Sequence, residues 1–122
     1  MRKFLRYFEP LIGWIFANMS FILPVKRLRE TETLMAFHHP NPSYQFHVLL
    51  VPKKAVPSLS DFDSKDTSFL SDLYSTVQSI VEEFHLAAYR LIVNGGEYQD
   101  FPQLHFHLSS NVGMGSRPSL QE

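Results

Sequence analysis

A run of eight residues near the C-terminal end, Gln103-Leu104-His105-Phe106-His107-Leu108-Ser109-Ser110, has the clearest structural pattern in the sequence. Apolar and polar residues alternate along it, as in a β-strand with one buried face. The pattern predicts a strand over Gln103–Ser109 whose apolar residues pack on the core. The other face carries His105 and His107, about 7 Å apart along the strand. Two imidazoles at that spacing can converge on one small group, such as a phosphate or a metal ion.

Three more apolar runs predict strands upstream of this one. They cover Thr33–Phe37, Phe46–Val51 and Tyr89–Asn94. The first leads into a rigid turn with two prolines, His38–Pro42, and the last is ended by two glycines. The connections between neighbouring runs are short, which favours antiparallel pairing.

One long helix is predicted between the second and third of these runs. From about Ser64 to His85 the apolar residues fall on a single stripe, and Asp63 or Asp66 is a suitable N-cap. The order of elements indicates an α+β domain, with a mostly antiparallel sheet of about five strands and one long helix. We expect this domain to span residues 26–110 and residues 111–122 to form a flexible tail.

Residues 1–25 are predicted to be an extra amphipathic helical segment. Apolar residues recur at helical spacing over about residues 2–20, but the apolar run at 11–23 is shorter than the roughly 20 residues of a membrane span. Residues 1–29 hold six basic residues and one acidic residue, against five and eleven in the rest. The segment either covers the core or a dimer seam, or touches an anionic membrane surface weakly.

The composition excludes several classes of function. The chain has 122 residues, enough for one domain, and no cysteine, so disulfide scaffolds, thiolate metal sites and cysteine nucleophiles are ruled out. The net charge of −1 argues against nucleic-acid binding. Nothing in the sequence points to secretion, and we expect a cytoplasmic protein.

Four blocks of sequence, in order, resemble the histidine-triad (HIT) family of nucleotide hydrolases and transferases. The family signature is His-φ-His-φ-His-φ-φ, where φ is apolar, and it corresponds to Gln103–Ser109 here. Leu34–His39 is similar to the family's strand ending in Ala-Phe-His-Asp. Tyr44–Lys54 is similar to its histidine-bearing strand ending in Pro-Lys-Lys, and Tyr89–Glu97 to its next strand.

The resemblance implies a HIT-like fold and four catalytic residues. His105 would attack the α-phosphorus of a nucleotide conjugate to give a nucleotidyl-histidine, which water then hydrolyses. The backbone carbonyl of Gln103 would accept the proton on the other ring nitrogen of His105. His107 would donate to a phosphoryl oxygen, and His47 would stand behind the triad and polarise it.

The resemblance also implies a substrate site, a substrate class and an assembly. We expect a purine nucleotide or nucleotide conjugate as the partner, no cofactor and a homodimer. Asn94 would bond near the phosphate or leaving group, and the Phe37–Pro42 turn would line the nucleoside pocket. The candidate substrate-binding residues are Asn94, Phe37, His39, Pro42, Gln99 and Asp100.

Three residues depart from the family pattern. Gln103 replaces the first histidine and cannot carry a proton, although it can donate to a phosphate oxygen. His39 replaces the ribose-binding Asp, and Asp100 would repel a phosphate unless it is protonated, paired or turned away. The sequence thus favours a nucleotide phosphoramidase or hydrolase. A nucleotide-binding module with little turnover, or a docking protein acting through its N-terminal helix, is the alternative.

The sequence is also compatible with two different roles for the paired histidines. His105 and His107 could alternate by chance on a half-exposed strand. They could also bind zinc, with a third ligand from His47 or His39. We expect no metal site, because the spacing of the remaining acidic and histidine residues fits no metal-binding motif.

Overall fold

A computed structural model of the chain describes residues 26–100 and 102–111. One sheet of five antiparallel strands has the order β1-β2-β3-β5-β4. The strands are β1 (Arg27–Glu30), β2 (Leu34–His38), β3 (Phe46–Pro52), β4 (Arg90–Val93) and β5 (Phe106–Ser110), and the helix is α1 (Thr67–Glu83). This confirms the α+β class with one long helix in the domain. The predicted N-terminal helix lies outside the described residues, as does the tail beyond Asn111.

Two strands differ from the sequence prediction. No strand is predicted at β1, because three of its four residues are charged and only Leu28 is apolar. β5 begins at Phe106, later than predicted, because its ladder with β3 ends at the pair Leu50–Phe106. Gln103 and His105 therefore lie in the segment that leads into the strand. Within the part of the chain that the structure describes, no helix has the length and apolar character that a membrane span requires.

Helix α1 covers one face of the sheet. Asp66 caps its N-terminus, accepting a hydrogen bond from the backbone N–H of Phe69 at 3.2 Å, which resolves the choice between Asp63 and Asp66. The buried apolar stripe of the helix packs on the apolar residues of the sheet. The core formed in this way contains Leu34, Ala36, Phe46, Val48, Leu50, Val56, Phe69, Leu73, Val77, Ile80, Leu86, Leu104, Phe106 and Leu108.

The opposite face of the sheet carries the histidines. Leu104, Phe106 and Leu108 belong to the helix-side core, so the alternation predicted from the sequence is confirmed. On the other face, His107 pairs with Leu49 of β3, and Leu49 pairs with Phe37 of β2. The next row on the same face pairs His47 with Ser109. We call this surface the histidine face.

Side-chain hydrogen bonds connect the helix to the turn between β1 and β2. Asp72 of α1 accepts hydrogen bonds from the hydroxyls of Thr31 at 3.0 Å and Thr33 at 2.7 Å. The Thr31 hydroxyl oxygen in turn accepts from the backbone N–H groups of Thr33 and Leu34. The carboxylate of Asp72 thus ties the middle of the helix to the sheet.

Removing the carboxylate of Asp72 should therefore lower stability. We expect Asp72→Ala to lower the free energy of unfolding by about 1–3 kcal/mol, since two hydroxyls lose a charged acceptor. Urea unfolding measures the change, and Ser71→Ala, at the exposed neighbouring position, serves as the matched control. Equal stability of the two variants would contradict the structural role of Asp72.

Candidate active site

Four histidines meet on the histidine face. His39 directly follows β2, His47 lies in β3, His105 directly precedes β5 and His107 lies within it. The ring centroids of His105 and His107 are 5.0 Å apart, and those of His47 and His107 are 5.1 Å apart. The His39 ring stacks on His47 with a centroid distance of 4.4 Å. The antiparallel register brings these side chains together although sixty positions separate His47 from His107.

His105 has one ring nitrogen fixed as a hydrogen-bond donor. Its Nδ1 lies 2.7 Å from the backbone carbonyl oxygen of Gln103. A carbonyl only accepts, so Nδ1 carries the proton and donates it. The neutral ring therefore has its lone pair on Nε2, which is the nucleophilic tautomer. His105 is only 3% exposed, so this orientation is held in a buried environment.

A second chain of hydrogen bonds fixes the tautomer of His107. The backbone N–H of Ser43 donates to Nδ1 of His47 at 3.2 Å, so the neutral His47 ring carries its proton on Nε2. That nitrogen lies 2.8 Å from Nδ1 of His107 and donates to it. His107 then carries its own proton on Nε2. We call the chain Ser43 N–H, His47 and His107 the histidine row.

The outer end of the histidine row is a donor without an acceptor. Nε2 of His107 is buried and has no hydrogen-bond partner among the described residues. A buried N–H without an acceptor costs free energy, and such groups are uncommon in folded proteins. The Nε2–H of His107 and the Nε2 lone pair of His105 thus present a donor and a nucleophile from adjacent rings.

Burial keeps these imidazoles neutral near pH 7. It lowers the pKa of His107 to about 4, with the neighbouring His105, His47 and His39 acting in the same direction. Burial, assisted by His39, likewise lowers the pKa of His47 to about 4. Burial also lowers the pKa of His105, although the bond to the Gln103 carbonyl and the Asp100 carboxylate oppose it.

His39 shows the same behaviour at the edge of the cluster. Burial lowers its pKa, and the proximity of His105 adds to the effect, whereas the Asp100 carboxylate opposes it. The Asp100 charge thus acts on both His39 and His105. Because all four rings favour the neutral form, the site offers lone pairs and neutral N–H donors at physiological pH.

The histidine cluster should make the fold sensitive to acid. The pKa of His47 and of His107 is about 4 in the folded protein, against roughly 6.5 for an unperturbed histidine. Between these values the unfolded chain binds more protons, so stability is full above about pH 6.5 and falls as the pH drops. Each of the two rings contributes about 2.5 kcal/mol over this interval, so we expect the free energy of unfolding to decrease by about 5 kcal/mol between roughly pH 7.5 and pH 4.5.

Urea unfolding across this pH range measures the effect. The variant His47→Gln removes one of the titrating rings, so its stability should depend less steeply on pH than that of the wild type. A wild-type stability that is constant down to about pH 4.5, where an unperturbed histidine is already fully protonated, would contradict the assignment.

Two glutamines of the candidate site are bonded to backbone carbonyls. Gln103 is buried, and its Nε2 donates to the carbonyl of Lys54 at 3.2 Å. Gln99 Nε2 donates to the carbonyl of Pro57 at 2.7 Å. Between these contacts, the backbone N–H of Leu104 donates to the carbonyl of Val56 at 2.7 Å. The segment that leads into β5 is therefore attached to residues 54–57.

The remaining candidate residues lie on strands and turns next to the cluster. Phe37 is buried in the same cross-strand row as His107, and Pro42 is exposed in the turn after β2. Asn94 follows β4 directly beyond the pair Val93–Phe106, at the level where His105 precedes β5. His39 accepts the backbone N–H of Asn41 on its Nδ1 at 3.0 Å.

Two features of the site have no role assigned from the sequence, although Ser109 is predicted to share the face of His105 and His107. The backbone N–H of Ser43 orients His47, but this contact depends on the conformation of the turn, and any residue except proline could supply it. Ser109 is buried beside His47, and its hydroxyl has no partner among the described residues. Ser109 occupies a position of the family signature that is usually apolar, and this departure is the sequence signal for it.

Metal binding by the described residues depends on how their histidine and acidic side chains are grouped. No group of three or more histidine or acidic side chains there has an arrangement that could hold a metal ion. In the histidine row, His47 and His107 direct ring nitrogens at each other.

Comparison with known proteins identifies the family. The HIT domain model matches residues 22–112. An uncharacterised HIT-like protein of Azospirillum brasilense is 33% identical over 98 residues, covering 76% of this chain and 80% of that protein. The chain therefore belongs to the histidine-triad (HIT) family.

Solved structures agree with this assignment. A HIT family hydrolase from Clostridium thermocellum superposes with a TM-score of 0.72 at 28% identity, covering 85% of this chain and 94% of that chain. A histidine triad protein from Clostridium difficile has a TM-score of 0.72 at 29% identity, with coverages of 91% and 95%. The predicted HIT-like fold is thus confirmed.

Proposed function

We propose that the protein is a histidine-triad nucleotide phosphoramidase or hydrolase that attacks the α-phosphate of a purine nucleotide conjugate. The observation that carries the proposal is the pairing of an unprotonated Nε2 on His105 with an unpartnered Nε2–H on His107. A phosphoryl group matches both, with an electrophilic phosphorus for His105 and an oxygen acceptor for His107.

The reaction proceeds in two displacements. His105 Nε2 forms a bond to the α-phosphorus while the bond from phosphorus to the leaving group breaks. The leaving group departs with the bonding electrons, and a basic one such as an amine takes a proton from solvent as it departs. Water then attacks the same phosphorus and breaks the N–P bond. The products are the nucleoside monophosphate and regenerated His105, and the proton lost by water goes to solvent or to the leaving group. His107 stabilises the charge on the phosphoryl oxygens in both steps.

The substrate site would extend over the histidine face from this pair. Phe37 gives an apolar wall in the row of His107, and Asn94, at the end of β4, is suited to bond near the phosphate or leaving group. Likeness to a HIT family hydrolase of Clostridium thermocellum supports hydrolysis as the activity. We also propose a cytoplasmic homodimer, with the outer strand β4 giving a sheet edge for pairing.

Detection of the covalent intermediate tests the proposal. The protein at high concentration is mixed with adenosine 5′-phosphoramidate or with the p-nitrophenyl ester of AMP, then quenched and analysed by intact mass and peptide mapping. We expect an adenylyl adduct on His105 and release of AMP. If neither the adduct nor AMP forms with either substrate, the proposed hydrolase is excluded.

A nucleotide-binding module with little turnover is the second candidate function. The Asp100 charge lies close enough to act on both His39 and His105, and a carboxylate there opposes an incoming phosphate. The phosphoramidate experiment separates the two candidates when it is combined with thermal-shift measurements on AMP. Stabilisation by AMP without product formation would favour binding alone. Contact with a membrane or a partner through residues 1–29 stays a prediction.

A further inference from the structure

The residues that precede β5, Gln103–His105, are attached to the rest of the protein beyond the end of the β3–β5 ladder. The β3–β5 ladder ends at the pair Leu50–Phe106, and β3 ends at Pro52, which has no N–H to donate. Beyond that point the backbone N–H of Leu104 bonds to Val56, and the side chain of Gln103 bonds to the carbonyl of Lys54. The Gln103 side chain and the Leu104 backbone thus attach this segment to residues 54–56 beyond the end of the ladder.

The same residue orients the nucleophile. The Gln103 carbonyl oxygen accepts the Nδ1 proton of His105 at 2.7 Å. Its direction depends on the backbone between Gln103 and Leu104, and both of these residues are buried and anchored to residues 54–56. A shift of this peptide group would rotate the His105 ring away from its aligned position.

We propose that Gln103 is a positioning residue, whose side-chain bond to the Lys54 carbonyl holds the Gln103 backbone carbonyl against His105. The inference rests on the proposed function and assigns Gln103 a role that involves no proton transfer. The side-chain amide has neither an acidic nor a basic group in the working pH range. Gln103 acts on the reaction only through the orientation of His105, and its side chain contacts the carbonyl of Lys54.

Two variants remove the Lys54 contact in different ways. Gln103→Met keeps the length of the side chain but removes its polar atoms, and Gln103→Asn keeps the amide but is one methylene too short to reach. We expect kcat for the p-nitrophenyl ester of AMP to fall about tenfold to a hundredfold in both, with KM unchanged, because a misplaced nucleophile reacts slowly. This comparison requires that the wild type forms the adduct. If the wild type forms none, the result counts against the proposed function and not against the role of Gln103.

The pH profile distinguishes positioning from a general loss of stability. The hydrogen bond to the Gln103 carbonyl raises the pKa of His105, so weakening it should move the acidic limb of kcat/KM to lower pH in both variants. A variant on α1, which covers the opposite face of the sheet, is Ser79→Ala, which loses hydrogen bonds to Arg29 and to the carbonyl of Thr76. It is expected to be less stable, with wild-type kcat and an unshifted profile.

A measurement without substrate completes the test. The ring nitrogen shifts of His105 in a 15N-labelled sample report which nitrogen carries the proton. We expect the Nδ1–H form in the wild type and an increased share of the Nε2–H form in Gln103→Met and Gln103→Asn. Wild-type kcat in both variants, a change confined to KM, or unchanged nitrogen shifts would overturn the proposal. If Gln103→Met fails to fold, Gln103→Asn carries the test alone.

Discussion

Substitution of His105 by alanine should abolish transfer of the nucleotide to the protein. Its Nε2 is the nucleophile of the proposed reaction, and its ring is held in the reactive tautomer by a 2.7 Å hydrogen bond to the Gln103 carbonyl. Alanine leaves no group that can form the N–P bond, so we expect turnover to fall by about 10⁴-fold or more, as for other enzymes that lose a nucleophile. Rapid-quench assays with the p-nitrophenyl ester of AMP, combined with intact mass, measure both effects.

The control for this prediction is an exposed histidine outside the cluster. His85 follows the end of α1 with a φ of 52°, a conformation that asparagine tolerates, so His85→Asn should retain wild-type turnover and adduct. Unfolding curves of the two variants show whether the fold is intact. An adduct on His105→Ala at the wild-type rate would place the nucleophile elsewhere and refute the proposed chemistry.

The second large effect concerns the donor on His107. Its Nε2–H has no partner among the described residues, while its Nδ1 accepts from His47. Two amide substitutions separate these roles. Glutamine can place an N–H near the position of Nε2, and asparagine can place only an oxygen near the position of Nδ1. We expect His107→Asn to lower kcat by about 10²–10³-fold, the usual cost of losing a donor to a developing oxyanion, and His107→Gln to retain much more activity.

The comparison of these two variants decides the outcome. Both remove the imidazole and its titration, so a loss caused by protonation alone would affect them equally. Equal activity of His107→Gln and His107→Asn would therefore contradict the role of Nε2 as the donor. Thermal unfolding of each, at a pH where the cluster is neutral, shows how far the lost contact with His47 affects the fold.

The sequence allowed prediction of the parts of this protein that repeat a pattern. Alternation along Gln103–Ser109 placed His105 and His107 opposite the core, and helical periodicity located α1 to within a few residues. β1 was missed because its residues are mostly charged, and its strand conformation comes from pairing with β2. Such pairing depends on tertiary contacts and leaves no period in the local sequence.

The candidate site also has parts that the sequence predicts and parts that it does not. The resemblance to the family identified the histidines, but the details that orient them come from backbone groups. Almost every residue has a backbone N–H like that of Ser43 and a carbonyl like that of Lys54, so no pattern of side chains predicts these contacts. The role of Gln103 illustrates the limit, since its sequence position suggested contact with phosphate and its side chain bonds to Lys54.

The histidine row begins at the backbone N–H of Ser43, and this donor limits the proton transfers that the row can support. A peptide N–H does not give up its hydrogen near neutral pH, so the contact from Ser43 to His47 has a permanent polarity. The neutral rings beyond it cannot exchange their tautomers in concert, as they would in a proton wire, because reversal would leave two hydrogens facing each other at Ser43. The row is a fixed dipole directed outward at the position proposed for the phosphoryl oxygen. Any proton that the proposed reaction moves must therefore travel by another route.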